Sequence, residues 1–128
     1  MWLVVSTVLA RDRPNILLIL ADDLRPDFAA AATPNLDALA ARGMTFTRAV
    51  CSYPICVVSR AEILTGRHAW DQSPAQPFWP ETLKRAGYHT WHVGKWHLGH
   101  ARREFLPLAQ GFTRFYGHYN GAIDYFTL

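Results

Sequence analysis

The amino-acid sequence predicts an α/β fold, with a mostly parallel sheet flanked by helices. Residues 15–20 (NILLIL), which are all apolar after Asn15, lie between a proline and a pair of aspartates. Such a run is typical of a strand that is buried on both faces of a parallel sheet. Residues 33–43 carry the start and stop signals of a helix. Candidate strands and helices then alternate along the chain, and that order favours parallel strands joined by helices.

The first predicted helix has clear boundaries. Thr33 suits the N-cap, Pro34 suits the first helical position, and Gly43 provides the stop. The apolar residues that share one face are Leu36, Leu39 and Ala40. This pattern predicts an amphipathic helix that ends at Gly43.

Four further elements and one loop follow in order. Residues 44–50 alternate in polarity as a short strand does, and residues 56–66 suit a second helix with a terminal glycine. The stretch 67–80, rich in Pro, Gln and Trp, is predicted as a loop. Residues 81–87 then suit a short helix with a glycine end, and residues 88–93 suit another strand. The C-terminal part is aromatic and shows no clear period, so no element is predicted there.

Composition and charge exclude several classes of protein. Half of the 128 residues are apolar. Burial of that much apolar surface can offset the entropy lost on folding, which excludes intrinsic disorder. No run reaches the roughly 18 apolar residues of a membrane span, so none is expected. The net charge of +3 is small and the basic residues form no runs. Nucleic acid is therefore not the expected partner, and a small anionic ligand fits at least as well. Two cysteines are too few for a disulfide scaffold.

The N-terminus carries an apolar segment, MWLVVSTVLA, followed by charged residues. The run is short for a secretory signal and lacks a basic start, although Val8 and Ala10 suit a small-residue cleavage site. Residues 1–12 are interpreted as a signal peptide or a disordered N-terminus. An N-terminal strand and a mis-set start codon are the alternatives. Export, to the periplasm or by secretion, is expected.

Asp22 and Asp23 form the first cluster of candidate functional residues. They directly follow the predicted strand at 15–20, and open α/β sheets bind ligands at the carboxyl ends of their strands. Adjacent carboxylates repel each other unless a cation lies between them, and hard divalent cations prefer oxygen ligands. The pair indicates either a metal site or a capped loop.

The second cluster contains Cys56 and Arg60 at the start of the second predicted helix. A helix N-terminus favours the anionic form of a cysteine, and a residue four positions later lies on the same face. Together the two side chains could hold an oxyanion. The alternative is a buried structural cysteine beside a solvent-facing arginine. The sequence favours no disulfide between Cys51 and Cys56.

The third cluster, Lys95 and His97, follows the last predicted strand. In an extended segment these two side chains point to one side and Trp96 to the other. A cation and a titratable imidazole together suit an anionic ester that needs charge neutralisation and proton transfer. A surface loop with a packed Trp96 is the alternative. Zinc on His92, His97 and His100 is disfavoured, because their spacing matches no common zinc pattern.

Taken in order, these segments resemble the N-terminal part of the sulfatase family, within the alkaline-phosphatase-like superfamily. Four segments carry the resemblance: 13–23 (RPNILLILADD), 33–39 (TPNLDAL), 56–67 (CVVSRAEILTGR) and 94–99 (GKWHLG). Residues 111–118 and 121–126 also resemble the region after the last of these segments. Residues 13–128 are therefore interpreted as the N-terminal portion of a sulfatase catalytic domain, that is, a fragment of it.

The resemblance implies a sulfuric ester hydrolase, acting on small-molecule or glycan sulfate esters. Cys56 would be converted to formylglycine by a maturation enzyme and would supply the nucleophile, with Arg60 supporting its hydrate. Lys95 would contact the sulfate and the formylglycine, and His97 would hydrogen-bond a formylglycine hydroxyl. Asp22, Asp23 and the converted Cys56 would be ligands of Ca²⁺, or of Mg²⁺ as in some relatives.

Two departures from the family pattern leave alternatives open. The family usually has Pro or Ala where this chain has Val58, which bears on recognition by the maturation enzyme. The family's remaining metal ligands lie further downstream than Leu128. A phosphonate monoester or phosphodiester hydrolase of the same superfamily is one alternative, and a non-catalytic remnant is another. The chain alone is expected to hydrolyse nothing, and to leave apolar faces such as 16–20 uncovered and prone to aggregation.

Overall fold

The computed structural model describes residues 13–25, 33–71, 77–124 and 126. The predicted N-terminal segment 1–12 lies outside the described residues. The chain divides into two compact units, Met1–Cys51 and Ser52–Leu128, and each unit is described by itself.

In the described part of the first unit, helix α1 (Pro34–Arg42) forms as the sequence predicts. Pro34 occupies its first turn, where the missing N–H costs no helical hydrogen bond. The Thr33 hydroxyl donates to the Asp37 carboxylate (3.3 Å) rather than to a backbone group. At the other end, the Gly43 N–H donates to the Ala40 carbonyl (3.3 Å). The predicted boundaries are confirmed.

The two strands predicted for the first unit do not form among its described residues. Residues 15–20 and 44–50 have no strand structure, so both predictions are wrong. The backbone groups of a strand need a neighbouring strand, and the strands that the structure describes pair with each other. Ile16, Leu17 and Ile19 are 52%, 69% and 58% exposed. These exposures confirm the expectation of an uncovered apolar surface.

Among the residues that the structure describes in the second unit, two helices form, α2 (Cys56–Thr65) and α3 (Trp79–Arg85). The predicted limits of α2 are confirmed, and Gly66 ends the helix in the left-handed region (φ 68°) that glycine adopts without strain. Helix α3 begins two residues earlier than predicted. Pro80 lies in its first turn, a position where proline is tolerated, so the predicted loop ends too late. Short 3₁₀ turns complete the unit: Ala69–Asp71, Arg103–Phe105 and Pro107–Ala109.

A parallel two-stranded sheet joins β1 (Trp91–Lys95) to β2 (Arg114–His118). Strand β1 lies two to three residues further along than predicted, and β2 was not predicted. Gly117 approaches the Gly94 backbone too closely for any side chain, and this glycine interrupts the alternation that would have marked a strand. The parallel pair with its helices agrees with the predicted α/β class.

The core of the second unit is aromatic and lies against residues 94–99. Its buried members are Leu64, Trp96 and Phe112. Trp96 is only 1% exposed, and its indole N–H donates to the carbonyls of Gly99 (3.2 Å) and Phe105 (3.0 Å). Because this side chain is fixed by packing and by hydrogen bonds, the residues on either side of it, Lys95 and His97, are held by the core.

The helices described in the structure are all too short and too polar to cross a bilayer.

Candidate functional site

The N-terminus of α2 meets the end of β1 through a contact between two predicted site residues. Cys56 is the first residue of α2, and its Sγ lies 3.3 Å from His97 Nδ1. Both residues are half-buried. The expected position of Cys56 at a helix N-terminus is confirmed. Its thiol faces an imidazole, a group that can donate or accept a proton.

A second contact joins the same two elements one turn further along α2. The Arg60 guanidinium donates through Nη1 to the Lys95 backbone carbonyl at 2.6 Å. The structure thus brings four predicted residues of two sequence clusters to one junction: Cys56, Arg60, Lys95 and His97. We call this group the α2–β1 junction. Arg60 contributes to the framework of the junction as well as to its charge.

The backbone at His97 departs from the extended conformation that the sequence predicted. His97 has a φ of 57°, so the alternation of side chains ends at Lys95, and the prediction of an extended segment through His97 is wrong. Backbone hydrogen bonds between the two segments still continue past β1, since the Trp96 and His97 N–H groups donate to the His118 (2.9 Å) and Tyr119 (3.0 Å) carbonyls. The turn directs the His97 ring towards Cys56.

Gly121 leaves the space that the His97 imidazole occupies. A Cβ atom at position 121 would lie 2.7 Å from His97 Cε1 and 2.8 Å from Nε2. Real Cβ atoms do not approach other atoms so closely, so any larger residue here would require the His97 ring to shift. Gly121 lies in the segment 121–126 that carries part of the resemblance, but no role for it was predicted from the sequence.

His92 also belongs to the junction, although the sequence suggested for it only a disfavoured zinc role. Its Nε2 lies 3.1 Å from the Lys95 carbonyl oxygen that Arg60 also contacts. Burial lowers the pKa of His92 below its ordinary value of 6.5, and the Arg60 charge lowers it further, while the bond to the Lys95 carbonyl raises it. The hydrogen bond from the His92 ring to the Lys95 backbone could not be predicted, because no sequence pattern marks a histidine that contacts the carbonyl three residues later.

Asp22 and Asp23 lie in the first unit, in the turn that follows residues 14–21. Both are exposed, and Asp23 has a φ of 56°, a left-handed conformation that Asp tolerates better than most residues. Their carboxylates suit a hard cation, but Ca²⁺ takes about six to eight oxygen ligands. Within the described ranges, no group of three or more His, Cys, Asp or Glu side chains could hold a metal ion. The two carboxylates fit such a site only as part of it.

The charges at the α2–β1 junction suit an anionic ligand. Arg60 and Lys95 are cationic, and the free N–H groups at the start of α2 add partial positive charge beside Cys56. Cys51 and Cys56 are both free thiols. The arrangement combines a nucleophile-bearing position, an imidazole and fixed positive charge, which is the combination needed for group transfer from an anionic ester.

The family model described as Sulfatase matches residues 14–126. The chain belongs to the sulfatase family. The match includes all the site residues predicted from the sequence: Asp22, Asp23, Cys56, Arg60, Lys95 and His97. An incomplete α/β arrangement of helices around a parallel sheet agrees with a sulfatase domain.

Several curated sulfatases are similar to this chain. Human N-acetylgalactosamine-6-sulfatase is 39% identical over 138 residues, covering 84% of this chain and 26% of that protein. Mouse arylsulfatase J is 35% identical over 135 residues, covering 90% of this chain and 22% of that protein. Human steryl-sulfatase is 34% identical over 139 residues, covering 84% and 24%.

This sulfatase chain spans about a quarter of the length of the curated relatives it matches. No solved structure gives a significant match.

Proposed function

We propose that the protein to which this chain belongs hydrolyses sulfate monoesters, with Cys56 acting after its conversion to formylglycine. Family membership and the names of the similar proteins support a sulfatase. The observation that carries the proposal is the α2–β1 junction, where Cys56 meets His97 and Arg60 meets Lys95. A small-molecule or glycan sulfate ester is the proposed substrate class.

The junction residues have separate proposed roles. The formylglycine supplies, as its hydrate, a hydroxyl nucleophile that can be regenerated, which a thiol cannot do. His97, whose ring lies 3.3 Å from Cys56 Sγ, holds a proton at Nδ1 or accepts one there and so orients that hydroxyl. Arg60 and Lys95 offset the negative charge that develops on the sulfate group. Arg60 also holds the Lys95 backbone in place.

Asp22, Asp23 and the converted Cys56 are the proposed ligands of a divalent cation, with Ca²⁺ as the first candidate and Mg²⁺ as the second. Carboxylate oxygens are the donors that these hard cations prefer. A bound cation would polarise the sulfate oxygens and offset their charge. Asp22 and Asp23 supply two side chains towards this site.

A maturation enzyme that generates formylglycine is the proposed protein partner. We also propose that the protein is exported to the periplasm or secreted, because residues 1–10 form an apolar segment that resembles a signal peptide. Val58 lies two residues after Cys56, within the segment that such an enzyme must recognise.

Two cysteines in one tryptic peptide allow a matched test of the modified position. The peptide 49–60 of the protein from its native producer contains Cys51 and Cys56. Mass spectrometry should find an aldehyde in place of the Cys56 thiol. Cys56→Ala should abolish both the aldehyde and hydrolysis of an aryl sulfate, whereas Cys51→Ala should leave both unchanged.

The outcomes separate the proposed function from its competitors. If the Cys56 thiol is intact and the protein hydrolyses neither an aryl sulfate nor a phosphonate ester, the protein is a non-catalytic remnant. A strong preference for a phosphonate ester over the sulfate ester would indicate a phosphonate hydrolase instead. Loss of activity in Cys51→Ala alone would contradict the assignment of the nucleophile.

A further inference from the structure

Two side chains from different elements of the α2–β1 junction form hydrogen bonds to the Lys95 carbonyl oxygen. Arg60 approaches from α2 at 2.6 Å, and His92 approaches from β1 at 3.1 Å. We propose that His92 is a positioning residue that holds the Lys95 backbone and the Arg60 guanidinium in place. The importance of this role for sulfate binding rests on the proposed function, whereas the role itself does not.

The hydrogen bond requires a proton on the Nε2 atom of His92. A carbonyl oxygen only accepts, so the ring must donate through Nε2–H, and the neutral ring then carries its lone pair on Nδ1. A carbonyl oxygen has two lone pairs, and Arg60 and His92 supply two donors to it. Both donors are compatible with one acceptor, so His92 supplements Arg60 instead of competing with it.

The aromatic core fixes the direction in which His92 donates. Its ring stacks on Phe115 (centroids 5.7 Å apart, planes at 15°) and meets the edge of Trp96 (5.4 Å, 82°). A third ring, Phe112, lies 5.1 Å away. Because these rings hold the imidazole on several sides, its Nε2–H has little freedom to turn away. Because the core holds the His92 ring, the hydrogen bond from that ring restricts the movement of the Lys95 carbonyl.

The charged group that faces His92 from another element is Arg60 on α2, and Lys95 is the cationic residue of its own strand. The other recorded contacts of the ring are aromatic. Protonation of His92 would place a second cation beside Arg60 in partly buried surroundings. Burial and the Arg60 charge therefore favour the neutral ring, and the Nε2–H that positions the carbonyl is present in that form.

Nuclear magnetic resonance on the whole 128-residue chain tests the role without any sulfate ester. His92→Gln keeps a donor at the position of Nε2, and His92→Phe keeps the ring without a donor. His89→Phe changes an exposed histidine of the same segment and serves as the matched control. In His92→Phe, we expect the Lys95 carbonyl carbon to shift and the Arg60 guanidinium to rotate more often, by at most about fivefold, the change that one net hydrogen bond corresponds to. His92→Gln should restore the wild-type signals of Arg60 and of the Lys95 carbonyl carbon.

Wild-type chain alone already decides part of the question. Imidazole ¹⁵N shifts should show His92 as the Nε2–H form, and its titration should move the Arg60 signals. A neutral ring with its proton on Nδ1 and none on Nε2 would overturn the proposal even if no variant folds. Unchanged Arg60 and Lys95 signals in a folded His92→Phe would also overturn it, because His92 would then be only a packed ring. Neither result depends on hydrolysis, so failure of the proposed sulfatase activity would remain a separate outcome.

Discussion

Replacing Gly121 with alanine is expected to displace the His97 imidazole from Cys56. The new Cβ would lie 2.7 Å from His97 Cε1. Gly121 does not have a left-handed φ, so alanine adds a steric conflict without backbone strain. The conflict is with the ring whose Nδ1 lies 3.3 Å from Cys56 Sγ.

The size of the displacement follows from these distances. Non-bonded carbon atoms pack best at about 3.5–4.0 Å, so the ring must withdraw by about 0.8 Å. A shift of this size that takes the ring away from Cys56 lengthens the Sγ···Nδ1 contact from 3.3 Å to about 4 Å and weakens the hydrogen bond. Overpacking costs about 1–3 kcal/mol, and at this half-buried position we expect about 1 kcal/mol, or a Tm lower by about 4 °C.

A double-mutant cycle with His97→Ala is the decisive assay. Thermal melts of the wild type, the two single variants and the double variant give the coupling free energy. Removing the ring removes the conflict, so Gly121→Ala should destabilise the His97→Ala protein by about 1 kcal/mol less than it destabilises the wild type. Asn120→Ala, at the exposed neighbouring position, is the control. Equal destabilisation of both backgrounds, with unchanged His97 ring resonances, would refute the reasoning.

Three further predictions follow from the same structure. Thr90→Val removes the buried hydroxyl that donates to the Gly111 carbonyl at 2.6 Å, and it should lower the free energy of unfolding by about 1–3 kcal/mol in urea; no measurable change would contradict it. Burial holds the pKa of His92 below 6.5, so the folded chain binds fewer protons than the unfolded chain, and stability should fall as the pH drops from 6.5 towards the folded pKa. His92→Phe should flatten that dependence in melts at several pH values, and an unchanged slope would exclude His92 as its source. Leu17→Lys adds a charge at a position that is 69% exposed, so light scattering should show less self-association at an unchanged Tm; equal scattering would assign the association to another surface.

Local signals in the sequence were sufficient for the helices and insufficient for the sheet. Helices α1 and α2 have their predicted limits because proline and glycine act within one or two turns. The apolar run at 15–20 has the composition of a strand, but a strand also needs a partner, which composition does not specify. Strand β2 was missed because Gly117, required for close approach to β1, interrupts its pattern.

The candidate site was predictable in its residues and less so in its contacts. Placing Cys56 at a helix start and Lys95 near a strand end needed only the order of motifs along the chain. The bond from Arg60 to the Lys95 backbone was not predictable, because a sequence names side chains and says nothing about which carbonyls remain available to accept. The turn at His97, with its φ of 57°, was also not predicted, because a left-handed backbone is uncommon at any residue other than glycine, even though histidine adopts it more often than most.

The contact between Cys56 and His97 joins residues 41 positions apart, and this separation sets a time order during synthesis. A ribosome adding about 5–20 residues per second needs about 2–8 s to advance from the thiol to the imidazole. The backbone carbonyls of residues 118 and 119, which hold Trp96 and His97, are made later still. An enzyme that acts on Cys56 in this interval meets a thiol in an unfinished chain. The speed of elongation, and not the opening of the finished fold, would then set the time available for its conversion.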